Sequence, residues 1–226
     1  MLLLFDGTLL LRAADAHREA LHEAITEVWS VPDPAAVHVE AAGRTDLEIA
    51  REILLLSGVD RDVEERLDDF RAAAAEAYVR RCPADLSERV APGVPAVLGA
   101  LAADGHVLSL VTGNLEPIAR VKLRAAGIGH HFPADQGGFG SDHADRAVLP
   151  AVARRRAALA AGREGGWDRA ATVVIGDTPR DIACARADGV ACVAIATGPF
   201  AASELTAADA VVAHAAEIAA ALAALS

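Results

Sequence analysis

Three polar residues each follow directly on an apolar run: Asp6 after residues 2–5, Thr112 after 107–111, and Asp177 after 173–176. Such residues add little to packing, whereas in a parallel sheet the active site lies outside the carboxyl ends of the strands. Asp177 and Asp181 stand four apart, at a strand end and the opening of a helix. Carboxylates held close together at a rim repel unless a cation sits between them, and hard oxygen donors of this kind suit Mg²⁺. In Thr112-Gly113-Asn114, a hydroxyl and small residues before a helix would offer N–H groups to a phosphate. Taken singly, each of these is equally a turn or a helix cap. Three from three separate strands weaken that bland reading.

The elements that must position them alternate. Residues 2–5 read as a buried parallel strand closed by the tight turn Asp6-Gly7-Thr8. Residues 15–85 are helical in pattern. Ala16, Ala20, Leu21, Ala24, Ile25 and Val28 form one apolar face, and Val63, Leu67, Phe70, Ala74 and Tyr78 form another. Between them, Thr45 and Glu48 have capping-box spacing, and Gly58 suits a helix end. After this stretch come strands at 107–111, 172–175, 190–196 and near Val211, with a short extended piece around Phe132. Helices are expected at 116–126, 146–160, 180–187 and 215–225. This is the pattern of an α/β protein: a Rossmann-like parallel sheet core covered by helices on both faces, with an inserted all-helical domain. The expected division is a core of 1–13 and 88–226 and an insert of 14–87.

The 226 residues are 53% hydrophobic, enough for a full core plus a small insert. A net charge of −11 argues against a nucleic-acid surface or an anionic membrane. Residues 14–87 hold 17 acids against 8 bases, so the insert carries most of that charge. Lys122 is the only lysine. Cys82, Cys184 and Cys192 lack metal-site or disulfide spacing and read as small hydrophobes in a reducing compartment. The eight histidines show no zinc-protease pairing. No apolar run reaches the ~18 residues of a membrane span, and the apolar start is too short for a signal peptide. The expectation is a soluble, cytoplasmic monomer or homodimer.

Asp6-Gly7-Thr8-Leu9, Thr112-Gly113-Asn114, and Gly176-Asp177 with Asp181 resemble motifs one, two and four of the haloacid dehalogenase superfamily, in order and spacing, over almost the whole chain. Arg146 stands where that family carries its basic third motif. Residues 43–49, Gly-Arg-Thr-Asp-Leu-Glu-Ile, resemble the cap of phosphoglycolate-phosphatase-like members. The resemblance implies phosphoryl transfer to an aspartate that begins Asp-x-Asp-Gly-Thr, with the second aspartate as acid and base. Mg²⁺ would be held by Asp6, Asp177 and Asp181. Thr112 and Arg146 would bind the phosphoryl oxygens, with Gly7, Thr8, Gly113 and Asn114 beside them. A helical cap would close over a small phosphorylated metabolite, with Arg44 on its anionic end.

Motif one departs from the family pattern, because Leu3-Leu4-Phe5-Asp6-Gly7-Thr8 has a single aspartate. Anchored on Asp-Gly-Thr, Leu4 takes the nucleophile position and Asp6 the acid–base role. Anchored on Phe-Asp, Asp6 is the nucleophile and the turn is two residues short. The intact turn favours the first register and the short leading strand the second. A shift of two keeps every side chain on its own face, so burial pattern does not choose. In both registers one carboxylate is missing. Two functions therefore remain open: a phosphatase of impaired turnover, and a protein that binds a phosphorylated metabolite without turning it over. Dehalogenase chemistry would leave the Asp177–Asp181 pair unexplained, and a phosphonatase would need a cap lysine that is absent.

Overall fold

The computed structural model describes residues 1–6, 9–11 and 13–225. Gly7 and Thr8, named above as phosphate-binding residues, lie outside them. Six parallel strands form one sheet in the order β3-β2-β1-β4-β5-β6. These are β1 (Leu2–Phe5), β2 (Val107–Thr112), β3 (Gly138–Phe139), β4 (Thr172–Gly176), β5 (Ala191–Ile195) and β6 (Ala210–Val212). β1 is central, with Phe5 paired to Leu110 on one side and Ile175 on the other.

Alternation divides β1 between two apolar layers. Leu3 and Phe5 join Leu98, Leu110, Leu123 and Leu222, so this face is covered by α4 (Val94–Ala103), α5 (Glu116–Ala125) and α8 (Ile218–Ala224). Leu2 and Leu4 join Leu149, Ala153, Val174 and Ile182 beneath α6 (Leu149–Ala160) and α7 (Pro179–Asp188). Burial on both faces is why these strands read as continuous apolar runs.

The insertion has its own core. α1 (Asp15–Trp29), α2 (Asp46–Leu56) and α3 (Leu67–Arg81) pack Ala20, Ile25, Ile53, Phe70 and Tyr78 together, with Trp29 and Phe70 ring centroids 5.7 Å apart. Leu115 and Ile118 complete that cluster from the β2–α5 segment, so the insertion sits against the carboxyl end of β2. Thr45 caps α2, accepting from Glu48 N–H at 3.1 Å, and Gly58 takes φ +76° after its end.

Three expectations are corrected. The extended piece lies at Gly138–Phe139, six residues beyond Phe132, which instead packs edge-on against Phe5. Two residues beginning with glycine carry no alternation from which a strand could be read. α4 was not anticipated, since its Ala, Gly and Pro content blurs the apolar stripe. Val63 falls before α3 rather than within it. Cys184 and Cys192 are buried thiols and Cys82 is half-buried, all three free.

Candidate active site

β1 and β4 end side by side, so Asp6 and Asp177 emerge at neighbouring strand tips. Asp6 N–H donates to Ile175 C=O at 3.0 Å, which ties the tip of β1 to β4. Asp181 is brought to the same point by the first turn of α7. Thr178 caps that helix in a reciprocal box: its hydroxyl and backbone N–H donate to Asp181 Oδ2 at 2.8 and 2.9 Å. Asp177 N–H adds a third bond to that oxygen at 3.1 Å. Carboxylate oxygens of Asp6, Asp177 and Asp181 lie within 4.8 Å of one another.

Arg146 enters from the one-turn helix before α6. Its Nη2 lies 2.8 Å from Asp6 Oδ2 and also pairs with Asp181 Oδ1. A planar guanidinium can bridge two carboxylates in this way where an ammonium presents a single point. Burial alone would lower its pKa, but the charges of Asp6 and Asp181 outweigh burial and hold it protonated. Burial, then the charges of Asp6 and Asp181, push the Asp177 carboxyl up to about 7. Once Asp177 gives up its proton, three carboxylates against one guanidinium leave two negative charges at the strand tips. That charge and those oxygen donors fit a hard divalent cation, with Asp177 and Asp6 as the groups best placed to bind it and Asp181 as their brace.

Thr112 closes β2, and its Oγ accepts from Asn114 N–H at 3.3 Å in a tight turn. Gly113 C=O accepts from Asp46 N–H at 2.8 Å, which joins the core to the start of α2. Asp6, Thr112, Asn114 and Arg44 line one cavity of about 390 Å³ between sheet and insertion. The Arg44 guanidinium is ion-paired within the insertion, 3.4 Å from Glu48 and also with Glu52. Of the residues singled out in the sequence, Asp6, Arg146 and Asp181 therefore meet directly, Asp177 joins their cluster, and Thr112, Asn114 and Arg44 share the cavity.

Leu4 is not at the cavity. It has no exposure, lies in the apolar layer beneath α6 and α7, and pairs in register with Ser109 and Val174. Leu4 therefore presents no atom to the cavity that Asp6 lines. Sequence reasoning also missed His17, Asp46 and Lys122, which line the same cavity. Only the singularity of that lysine could have drawn attention to it.

A family model described as haloacid dehalogenase-like hydrolase matches residues 5–186, most of the chain and all the clustered acids. The chain belongs to the haloacid dehalogenase-like hydrolases. A second model of that superfamily, described as HAD-hydrolase-like, matches residues 150–225. A probable phosphatase, IndB of Dickeya dadantii (strain 3937), is 28% identical over 158 residues, 70% of this chain and 64% of that one. The match thus spans under two thirds of that relative's length. Among solved structures, a predicted phosphatase from Clostridium acetobutylicum aligns with TM-score 0.65 at 16% identity, covering 99% of this chain and 98% of that one. CbbY from Rhodobacter sphaeroides, solved in complex with phosphate, gives 0.63 at 16%, covering 96% and 95%. At these identities the structures establish a shared fold. No helix among the described residues is long and apolar enough to cross a membrane.

Proposed function

We propose that this haloacid dehalogenase-like hydrolase is a Mg²⁺-dependent phosphatase of small phosphomonoesters, with Asp6 as the nucleophile. The observation that carries this is the meeting of Asp6 with Asp177, Asp181 and Arg146, where Asp6 also lines the cavity between sheet and insertion. A metal held by Asp6 and Asp177 would supply charge neutralisation for the transferring phosphoryl group. Asp6 would attack phosphorus in line with the departing alkoxide and become an aspartyl phosphate, which water then hydrolyses. Arg146 fixes the orientation of Asp6 and offsets charge on the phosphoryl oxygens. Thr112 would donate its hydroxyl to one of those oxygens. We further take residues 14–87 as the cap that excludes water, and 1–13 with 88–226 as the catalytic core.

With Asp6 as the nucleophile the turn is two residues short, and the second aspartate of the family pattern has no counterpart. In this register the leaving oxygen lacks a carboxylic acid to protonate it. Turnover is therefore slow, and the resting complex is a tight binder of its ester.

The test is phosphate release from a panel of small esters with and without Mg²⁺. Chelation should abolish release, and Asp6→Asn should lower kcat by roughly a thousandfold or more. Release that survives Asp6→Asn would remove Asp6 from the nucleophile position. Tight Mg²⁺-dependent binding with no release from any ester would identify a binding protein instead.

A further inference from the structure

One buried cluster on the cavity wall takes no part in the scheme above. Lys122 rises from α5, and its Nζ donates to Asn114 Oδ1 at 2.9 Å and to His17 Nδ1 at 3.1 Å. His17, on α1, in turn bonds through Nε2 to Asp46 Oδ2 at 3.0 Å, an oxygen that also accepts from Leu115 N–H at 2.7 Å. The directions agree: with its proton on Nε2, the neutral ring presents a lone pair at Nδ1 to the ammonium. Burial lowers the His17 pKa and favours that neutral form.

Charge is short at this point. Both acceptors of Lys122 are neutral, while Asp46 is engaged by His17 and the backbone. Burial pushes the Lys122 pKa down to about 8, against the partial support of Asp46. Among the described residues, the other cations on the cavity wall have their own carboxylates: Arg44 holds Glu48 and Glu52, and Arg18 holds Asp15 at 2.9 Å. An ammonium has three donors, and two are used. Much of the remaining wall is apolar, formed by Leu9, Leu21, Ile49, Leu110 and Leu123. A polyhydroxylated sugar would leave hydroxyls unpaired against those side chains, whereas a short acid would not.

We infer that Lys122 reads the end of the substrate remote from phosphorus by pairing with a carboxylate, so that phosphorylated carboxylic acids are selected over neutral esters. His17 and Asn114 position the ammonium, and Asp46 positions His17. The inference rests on the phosphatase reading for the location of the phosphoryl end.

Non-hydrolysable probes separate the two ideas. Calorimetric titration with Mg²⁺ would compare 3-phosphonopropionate with propylphosphonate, which differ in the carboxylate. The wild-type chain should prefer the first by about tenfold or more, the usual scale of a charge-assisted pair. In Lys122→Met that ratio should collapse toward unity. Lys122→Gln, which can still bond Asn114 and His17, should do the same if the methionine variant fails to fold. Absence of preference in the wild type, or equal weakening of both probes in the variants, would overturn the inference. Ester hydrolysis measured alongside assigns any failure: preference without turnover sinks only the phosphatase reading, and turnover without preference sinks only the role of Lys122.

Discussion

Asp6 is held by a guanidinium that it shares with Asp181 and lies beside Asp177, while its strand neighbour Leu4 is sealed in apolar packing. Introducing a carboxylate at Leu4 would therefore bury an unpaired charge rather than complete a site. Leu4→Asp should cost roughly 4 kcal/mol or more, read as a fall in urea midpoint, with no gain in phosphate release. A folded variant with enhanced turnover would reverse that conclusion. The missing acid has its own signature. General acid catalysis is worth about 10²–10⁴-fold, so p-nitrophenyl phosphate, whose leaving group needs no proton, should turn over at least a hundredfold faster than an alkyl ester. Comparable rates for the two would point to an acid elsewhere in the cavity. Sequence alone exposed Asp177 and Asp181 clearly, because a strand end, a glycine and a helix start converge on them. The register of motif one stayed hidden, since a two-residue shift moves no side chain to the opposite face. Lys122 was hidden for another reason: on an amphipathic helix a single lysine looks like any solvated residue until its neighbours on α1 are known.

At the scale of elements, the site depends on close backbone approaches. A Cβ on Gly113 would fall inside the contact radius of the Arg44 carbonyl oxygen, where the core meets the start of α2. Gly113→Ala should push that junction apart, lowering stability by about 1–3 kcal/mol by overpacking and weakening phosphonate binding. Unchanged binding at wild-type stability would show that the junction yields freely. The α7 terminus concentrates negative charge, and this has a pH consequence. In the metal-free protein the Asp177 pKa is raised from 3.8 to about 7, so the folded chain holds a proton that the unfolded chain has released. That contribution to stability is present at low pH and declines as pH rises from about 4 to about 7. Added Mg²⁺ replaces the proton, so melting curves with Mg²⁺ should fall less across this window than those in chelator. Parallel profiles would mean that no metal meets Asp177. Element positions were largely legible, because the buried strands are rich in Val, Ile and Leu and the helices keep their stripes. Where composition gives no stripe, as in α4, or only two residues, as in β3, nothing in the local pattern marks the element.

Across the whole molecule, the insertion and the sheet bury separate apolar clusters, joined through Leu115, Ile118 and the polar contacts of Asp46. The insertion's helices interrupt the sheet between β1 and β2, so the most buried strand belongs to the first five residues while its two neighbours begin at residues 107 and 172. During synthesis, at roughly 5–20 residues per second, β1 leaves the ribosome well before either neighbour. The insertion, whose partners are close in sequence, can form meanwhile, because short loops close at small entropic cost. β1 cannot. Leu2, Leu3, Leu4 and Phe5 stay unpaired until β2 emerges and keep one open edge until β4 follows, and that interval is when the nascent chain is most exposed to aggregation.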